Sequence, residues 1–253
     1  MSTRIIVFAK APIAGLAKTR LAGSLGFERA AMLAQQMLAS TLEACLTADI
    51  GPVELCMSPA ADAPEWDGVL LPPQLILSSQ GEGDLGSRMA RAARRALSGH
   101  ALPSYLLSGH TLSNYSLSNY ALNNRALTNR AELAPQVQQQ VLLVGTDCPQ
   151  LSPELLRRAA QRLSMQDALL HPTWDGGYAL LGLRQFNDCL FTDMPWSTSE
   201  VAALTQARLT QLGWRYTLAE RLQDIDEPQD LFWLTASWAS VLQTPVTEAS
   251  HHA

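Results

Sequence analysis

The chain has 253 residues, 47% hydrophobic and 16% charged, a composition that fits a folded globular protein and a length that fits one large α/β domain. Its net charge of −5 argues against a nucleic-acid binder, which needs an excess of Lys and Arg to neutralise phosphates. The four cysteines, Cys45, Cys56, Cys148 and Cys189, form no CxxC pair; they suggest neither a zinc site nor a disulfide framework and read as small core residues.

The first expected element is the strand in MSTRIIVFAK. Its apolar run is too short for a secretory core, and no segment of the chain approaches a membrane span, so a cytoplasmic protein without a membrane partner is expected. APIAGLAKTRL follows, from Ala11 to Leu21. A Walker loop would need glycine where Pro12 and Ala17 stand, so this is a Pro/Gly turn at the carboxyl end of a strand, where α/β folds place ligands. Lys18 and Arg20 suit a diphosphate or triphosphate, or else form a solvated basic turn. Next come a helical stretch from Phe27 to about Ala48, the strand VELCM, and a strand ending near Leu75 to Leu77.

GEGDLG, Gly81 to Gly86, spells the dinucleotide fingerprint, but no acidic residue lies between Asp84 and Glu132 to hold a ribose. Glu82 and Asp84 would also repel a pyrophosphate at a helix N-terminus, so a dinucleotide is not expected. In the helix from Ser87 to Leu97, Arg88, Arg91 and Arg95 share one face. Arg91 and Arg95 read as an exposed basic stripe; Arg88, nearest the loop, is a candidate for nucleotide contact.

The βαβ rhythm is then interrupted. Leu107, Leu112, Leu117, Leu122 and Leu127 recur every five residues, with Asn114, Asn119, Asn124 and Asn129 two places later. Too few copies are present for a stable solenoid, and the segment, about 100–135, is expected to be a surface-loop insertion without a role in chemistry.

VLLVGTDCPQL resumes the pattern, with a strand that delivers Asp147 to its carboxyl end. Mg²⁺ takes one or two carboxylates and completes its shell with phosphate and water, whereas an Asp here could equally cap the following turn. Ser152 and Pro153 start a helix well. In PTWDGGYALLGL, Asp175 precedes two glycines between two expected strands, and DG is also a hairpin signal. A helix from about Thr198 to Leu212, a strand near Trp214 to Leu218 and a helix starting at Pro228 complete the chain, with Asp224, Asp226 and Glu227 just before the last. Such an acidic start is also ordinary capping chemistry. The expected architecture is a three-layer α/β/α sandwich with a mostly parallel sheet.

The ordered set FAKAPxxGxxKTRL, QGxGDLGxRM, GTDCPxL, PxxDGGYxLxGL, WST and DIDxPxDL resembles a bacterial family of small GT-A-type transferases, regarded as candidate glycosyltransferases and linked to arsenosugar biosynthesis. That family is similar in turn to nucleotidyltransferases such as phospholactate guanylyltransferase and the molybdenum cofactor guanylyltransferase. The resemblance spans Ile5 to Leu234 apart from the repeat. It implies a single-domain Rossmann-like GT-A fold over about 1–243, with a flexible tail at 244–253. It also assigns roles: Gly15, Lys18 and Arg20 to a phosphate loop, Asp147 to Mg²⁺ or Mn²⁺, and Gln80, Gly81, Asp84 and Gly86 to a second nucleotide loop. Asp175 and Tyr178 match an acceptor-side motif, Asp224 and Asp226 a second metal contact, and Trp196, Ser197 and Thr198 a WST element of unassigned role. Thr173 and Trp174 depart from the residues common in that family, as does Glu227.

The implied activity is metal-dependent transfer from a nucleotide or nucleotide sugar to a small-molecule acceptor. In glycosyl transfer from a nucleoside-diphosphate sugar, Asp175 is the candidate general base. The alternatives are nucleotidyl transfer to a phosphorylated acceptor with pyrophosphate release, which needs no base, and a nucleotide-binding regulator without turnover.

Overall fold

The computed structural model describes residues 2–98, 140–235 and 238. The pentapeptide repeat and the tail at 244–253 lie outside the described residues. The described chain forms a seven-stranded sheet in the order β3-β2-β1-β4-β6-β5-β7. Its strands are β1 (Thr3–Lys10), β2 (Val53–Ser58), β3 (Ile76–Ser79), β4 (Gln140–Val144), β5 (Ala168–Pro172), β6 (Tyr178–Leu183) and β7 (Tyr216–Leu218). All pairings are parallel except those of β6, which runs antiparallel to β4 and β5.

The continuous apolar runs have the burial that a doubly covered sheet requires. Every residue of β4 and β5 is buried. Ile5, Val7, Leu55 and Leu142 face one layer with α2 (Phe27–Ala48) and the helix Pro153–Leu163; Ile6, Leu143, Leu170 and Leu181 face the other, with α3 (Leu85–Leu97) and the helix Val201–Gln211. A short helix, α1 (Ala22–Leu25), precedes α2; the later two are α4 and α5 in chain order. At the start of α4, Ser152 caps the Leu155 amide at 3.2 Å and Pro153 occupies the first turn.

Three details differ from the sequence expectation. The helix expected from Thr198 begins at Val201, because Ser197 adopts φ +64 and the Thr198 hydroxyl donates back to the Pro195 carbonyl at 2.7 Å. The segment after Pro228 is a 3-10 helix, Pro228–Trp233. Cys45, Cys56 and Cys148 are buried, but Cys189 is exposed in a 3-10 turn and is not a core residue.

A third hydrophobic cluster matters for the site. Leu21, Leu33, Met37, Ile225 and Trp238 are buried together. Leu21 ends the loop after β1, and Ile225 sits inside the DID motif. Their shared burial draws the first loop onto the C-terminal acidic segment, although the two are about 200 residues apart in sequence.

Candidate functional site

The parallel strands β1 and β4 are neighbours, so the loops leaving their carboxyl ends must meet at one edge of the sheet. From β1 comes the turn with Gly15 at φ +82 and Lys18 at φ +49. A lysine in the left-handed region is strained by roughly 1–2 kcal/mol, and its contacts show what holds it there. The Lys18 ammonium, 6% exposed, bridges the Asp147 carboxylate, the Ile225 carbonyl and, at 3.7 Å, Asp226. Arg20 binds Asp226 at 2.7 Å and Glu227 at 3.4 Å. Backbone bonding closes the triangle, as the Ile225 amide donates to the Asp147 carbonyl at 2.9 Å. Three segments expected from sequence to act together are therefore in direct contact.

The acids are crowded here. Burial pushes the Asp224 carboxyl up to about 6, and the nearby charges of Asp175, Asp230 and Asp226 push the same way. The buried Cys148 thiol is likewise raised well above its ordinary value, mainly by burial and also by Asp147, Asp224 and Asp175. Asp224 is thus a partly desolvated acid with other acids close to it. Lys18 supplies one cation between Asp147 and Asp226, which marks that position as one that favours positive charge. Hard oxygen donors of this kind suit Mg²⁺ or Mn²⁺, with Asp147, Asp224 and Asp226 as the residues that would hold it. Among the described residues, no three His, Cys, Asp or Glu side chains form a ready metal cage, so a bound ion would need further ligands such as phosphate oxygens and water. The Asp147 side chain is 50% exposed and open to such a ligand.

The glycine loop forms a second, separate network. Asp84 caps α3 by accepting from the Ser87 amide at 2.8 Å, which accounts for an acid at this helix start. Gln80 is 5% exposed and donates to the carbonyls of Ala9 at 3.1 Å and Cys56 at 3.0 Å, tying the loop to the ends of β1 and β2. Arg88 donates to the Gly83 carbonyl at 2.9 Å, while Arg91 donates to the carbonyls of Gln80 and Glu82. Gly81, like the Glu82 and Asp84 on either side of Gly83, is exposed. Gln80 and Arg88 thus shape the loop, whose residues 81–84 are exposed.

Gly86 reveals what the WST element does in the structure. A Cβ there would lie 2.3 Å from the Phe191 carbonyl oxygen and 2.6 Å from Trp196 Nε1. The indole of Trp196 therefore seats against the first turn of α3, and Tyr178 meets it edge-on at 6.5 Å. Tyr178 is half-buried, its hydroxyl directed at the Met89 sulfur 3.8 Å away, and burial raises its ionisation above the ordinary range. Its contacts are with this packing layer rather than with Asp175.

Asp175 lies in the turn between β5 and β6. Its Oδ1 accepts from the Thr173 hydroxyl at 2.5 Å and the Gly177 amide at 2.9 Å, while Oδ2 has no hydrogen-bond partner among the described residues. The hairpin reading of DGG and a place beside Asp224 therefore both hold.

Two features escape the sequence reading. Glu54, within VELCM, is fully buried and pairs with Arg95 and, at 3.7 Å, with Arg4; Arg95 is thus no part of an exposed stripe. A cleft of about 740 Å³ also lies beside α3, lined by Arg91, Arg94, Asp188, Phe191 and Asp193. It includes Asp84 and Gly86 but lacks the Lys18, Asp147 and Asp226 cluster, and charge chemistry outweighs cavity size in locating the site.

No described helix is long and apolar enough to cross a membrane. No curated protein matches the sequence. Among solved structures, a candidate nucleotide-diphospho-sugar transferase from Desulfovibrio desulfuricans is 24% identical, with a TM-score of 0.70 over 96% of this chain and 98% of that one. At that identity the likeness bears on the fold, a nucleotide-diphospho-sugar transferase type of α/β sheet. Solved structures with TM-scores under 0.5 include 2-C-methyl-D-erythritol 4-phosphate cytidylyltransferase from Thermus thermophilus (0.44, 17% identity, 96% of this chain and 100% of that one covered). A nucleotidyl transferase from Methanothermobacter thermautotroptrophicus scores 0.48 (14% identity, 94% and 98% covered). With residues 41–198 matched by its model, the chain belongs to the family described as uncharacterized protein conserved in bacteria, DUF2064.

Proposed function

We propose that the protein is a metal-dependent transferase that uses a nucleotide-activated donor, with glycosyl transfer from a nucleoside-diphosphate sugar as the leading reaction. The observation that carries this reading is the Lys18 bridge between Asp147 and Asp226, with Arg20 bound beside it. Here two cations pair with the acids. A donor's phosphates offer Lys18 and Arg20 a replacement partner, and the carboxylates then become available as ligands. Bound Mg²⁺ or Mn²⁺ would neutralise charge on the phosphates as the leaving group departs. Lys18 would stabilise the same developing charge once the phosphates replace its carboxylate partners. The exposed 81–84 backbone would meet the nucleoside end, and the unpartnered Oδ2 of Asp175 is the oxygen that would take a proton from an acceptor hydroxyl.

The two bonds to Oδ1 favour a second reading, because half of that carboxylate is committed to the turn. Nucleotidyl transfer to a phosphorylated acceptor requires no such base. Turnover with candidate donors and Mn²⁺ tests both. Release of free nucleoside diphosphate from a nucleotide sugar supports glycosyl transfer, and release of pyrophosphate from a nucleoside triphosphate supports nucleotidyl transfer. Absence of both, together with absence of nucleotide binding, refutes a donor site.

A further inference from the structure

Trp174 precedes Asp175 in the turn between β5 and β6 and is 64% exposed. The Arg221 guanidinium stacks over its ring, 4.8 Å from the centroid. Arg221 is exposed, and among the described residues it has neither a carboxylate nor a hydrogen-bond partner. The neighbouring Glu220 does not neutralise it, because that carboxylate turns to Arg158 at 2.9 Å and Arg162 at 4.0 Å. Backbone pairing holds the stack in place: Thr173 bridges Leu222, and the Leu222 amide donates to the Pro172 carbonyl at 2.8 Å. The pair therefore stands at the carboxyl end of β5, next to Asp175, whose charge is felt by Asp224.

From this geometry we infer that Trp174 and Arg221 form the acceptor subsite, and that the acceptor is a small molecule carrying a phosphomonoester on a sugar or polyol body. A guanidinium offers forked donors matched to phosphate oxygens, and stacking on the indole orients it while leaving its donor edge free. An exposed indole supplies an apolar face for the ring or carbon chain of the acceptor. A positive charge at this point also counters the repulsion that Asp175 and Asp224 exert on an anionic acceptor. The inference rests on the donor-site reading above for its role as an acceptor subsite.

The test is isothermal titration of the full chain with glucose 1-phosphate, with glucose as the uncharged comparator and inorganic phosphate as the bodiless one. Both side chains are exposed, so Arg221→Gln and Trp174→Ala should fold, which circular dichroism checks. Glucose 1-phosphate is expected to bind more tightly than either comparator. Arg221→Gln should weaken it by about tenfold or more, Arg221→Lys less, and Trp174→Ala should bring it down toward inorganic phosphate. Thermal stabilisation by nucleotide and Mn²⁺ should persist in Arg221→Gln. Equal affinity in Arg221→Gln and the parent, no binding by the parent, or loss of nucleotide stabilisation in Arg221→Gln would each overturn the inference. If the parent binds glucose 1-phosphate through Arg221 but shows no nucleotide stabilisation, the donor reading fails and the phosphate site stands.

Discussion

Replacing Glu54 with Gln keeps the side-chain volume and removes one charge from a site with no exposure. The Glu54 side chain is 0% exposed, against 16% for Arg4 and 18% for Arg95, and Ser78 donates to it at 2.6 Å. In Glu54→Gln both guanidiniums keep their charge and lose their counterion. Removing one partner of a buried pair costs about 3–5 kcal/mol; the partial exposure of the arginines places the expected loss near the lower end, about 3 kcal/mol. For a chain of this size each kcal/mol moves the melting temperature by about 2–4 °C, so a drop of roughly 6–12 °C is expected. Urea unfolding followed by circular dichroism should show a lower midpoint with an unchanged slope. Combining Glu54→Gln with Arg95→Gln should cost less than the sum of the two, since the pair is coupled. A loss below about 1 kcal/mol in Glu54→Gln would show that the carboxylate is effectively solvated and that the reasoning is wrong.

Two further outcomes follow from the packing. Gly86→Ala forces a methyl against Phe191 and Trp196, and should destabilise by about 1–3 kcal/mol with a change in the near-ultraviolet signal of the tryptophans; an unaltered melting curve would remove Trp196 from the α3 contact. His171 is 2% exposed, with Nδ1 3.0 Å from the Glu220 carbonyl oxygen, and burial lowers its ionisation below the ordinary histidine range despite the opposing effect of Glu220. The unfolded chain therefore binds the extra proton first, so this contribution to stability is present above about pH 6.5 and is lost as the pH falls toward the folded value. His171→Gln should flatten that part of the stability profile, and an identical profile in both proteins would contradict the assignment.

Much of the scaffold is visible in local pattern. The long amphipathic stretch from Phe27 to Ala48 is one helix, and VLLVGTD does carry its aspartate to a strand end, because buried parallel strands are written as unbroken apolar runs. The convergence of Lys18, Arg20, Asp147 and Asp226 is legible only as an ordered motif set, since the contacts join positions about 200 residues apart. Glu54 escapes notice because a single acid in VELCM looks like a solvent-facing residue, and its counterion Arg95 lies 41 residues later on another element. Tyr178 and Trp196 show the converse problem: aromatic residues within a motif can serve packing, and no local spacing distinguishes that from ligand contact. Cys189 carries no periodic signal at all.

The central claim is that Asp147 holds a divalent cation against the phosphates of a nucleotide donor. It is tested most directly by melting the parent and Asp147→Ala with nucleoside triphosphates and nucleotide sugars, each with and without Mn²⁺. A ligand at a hundredfold excess over its dissociation constant stabilises by about 2.7 kcal/mol, or roughly 5–10 °C here. The parent should show that rise only when metal and nucleotide are both present, and Asp147→Ala should show none. A rise of equal size in Asp147→Ala, or in the parent without metal, would contradict the claim.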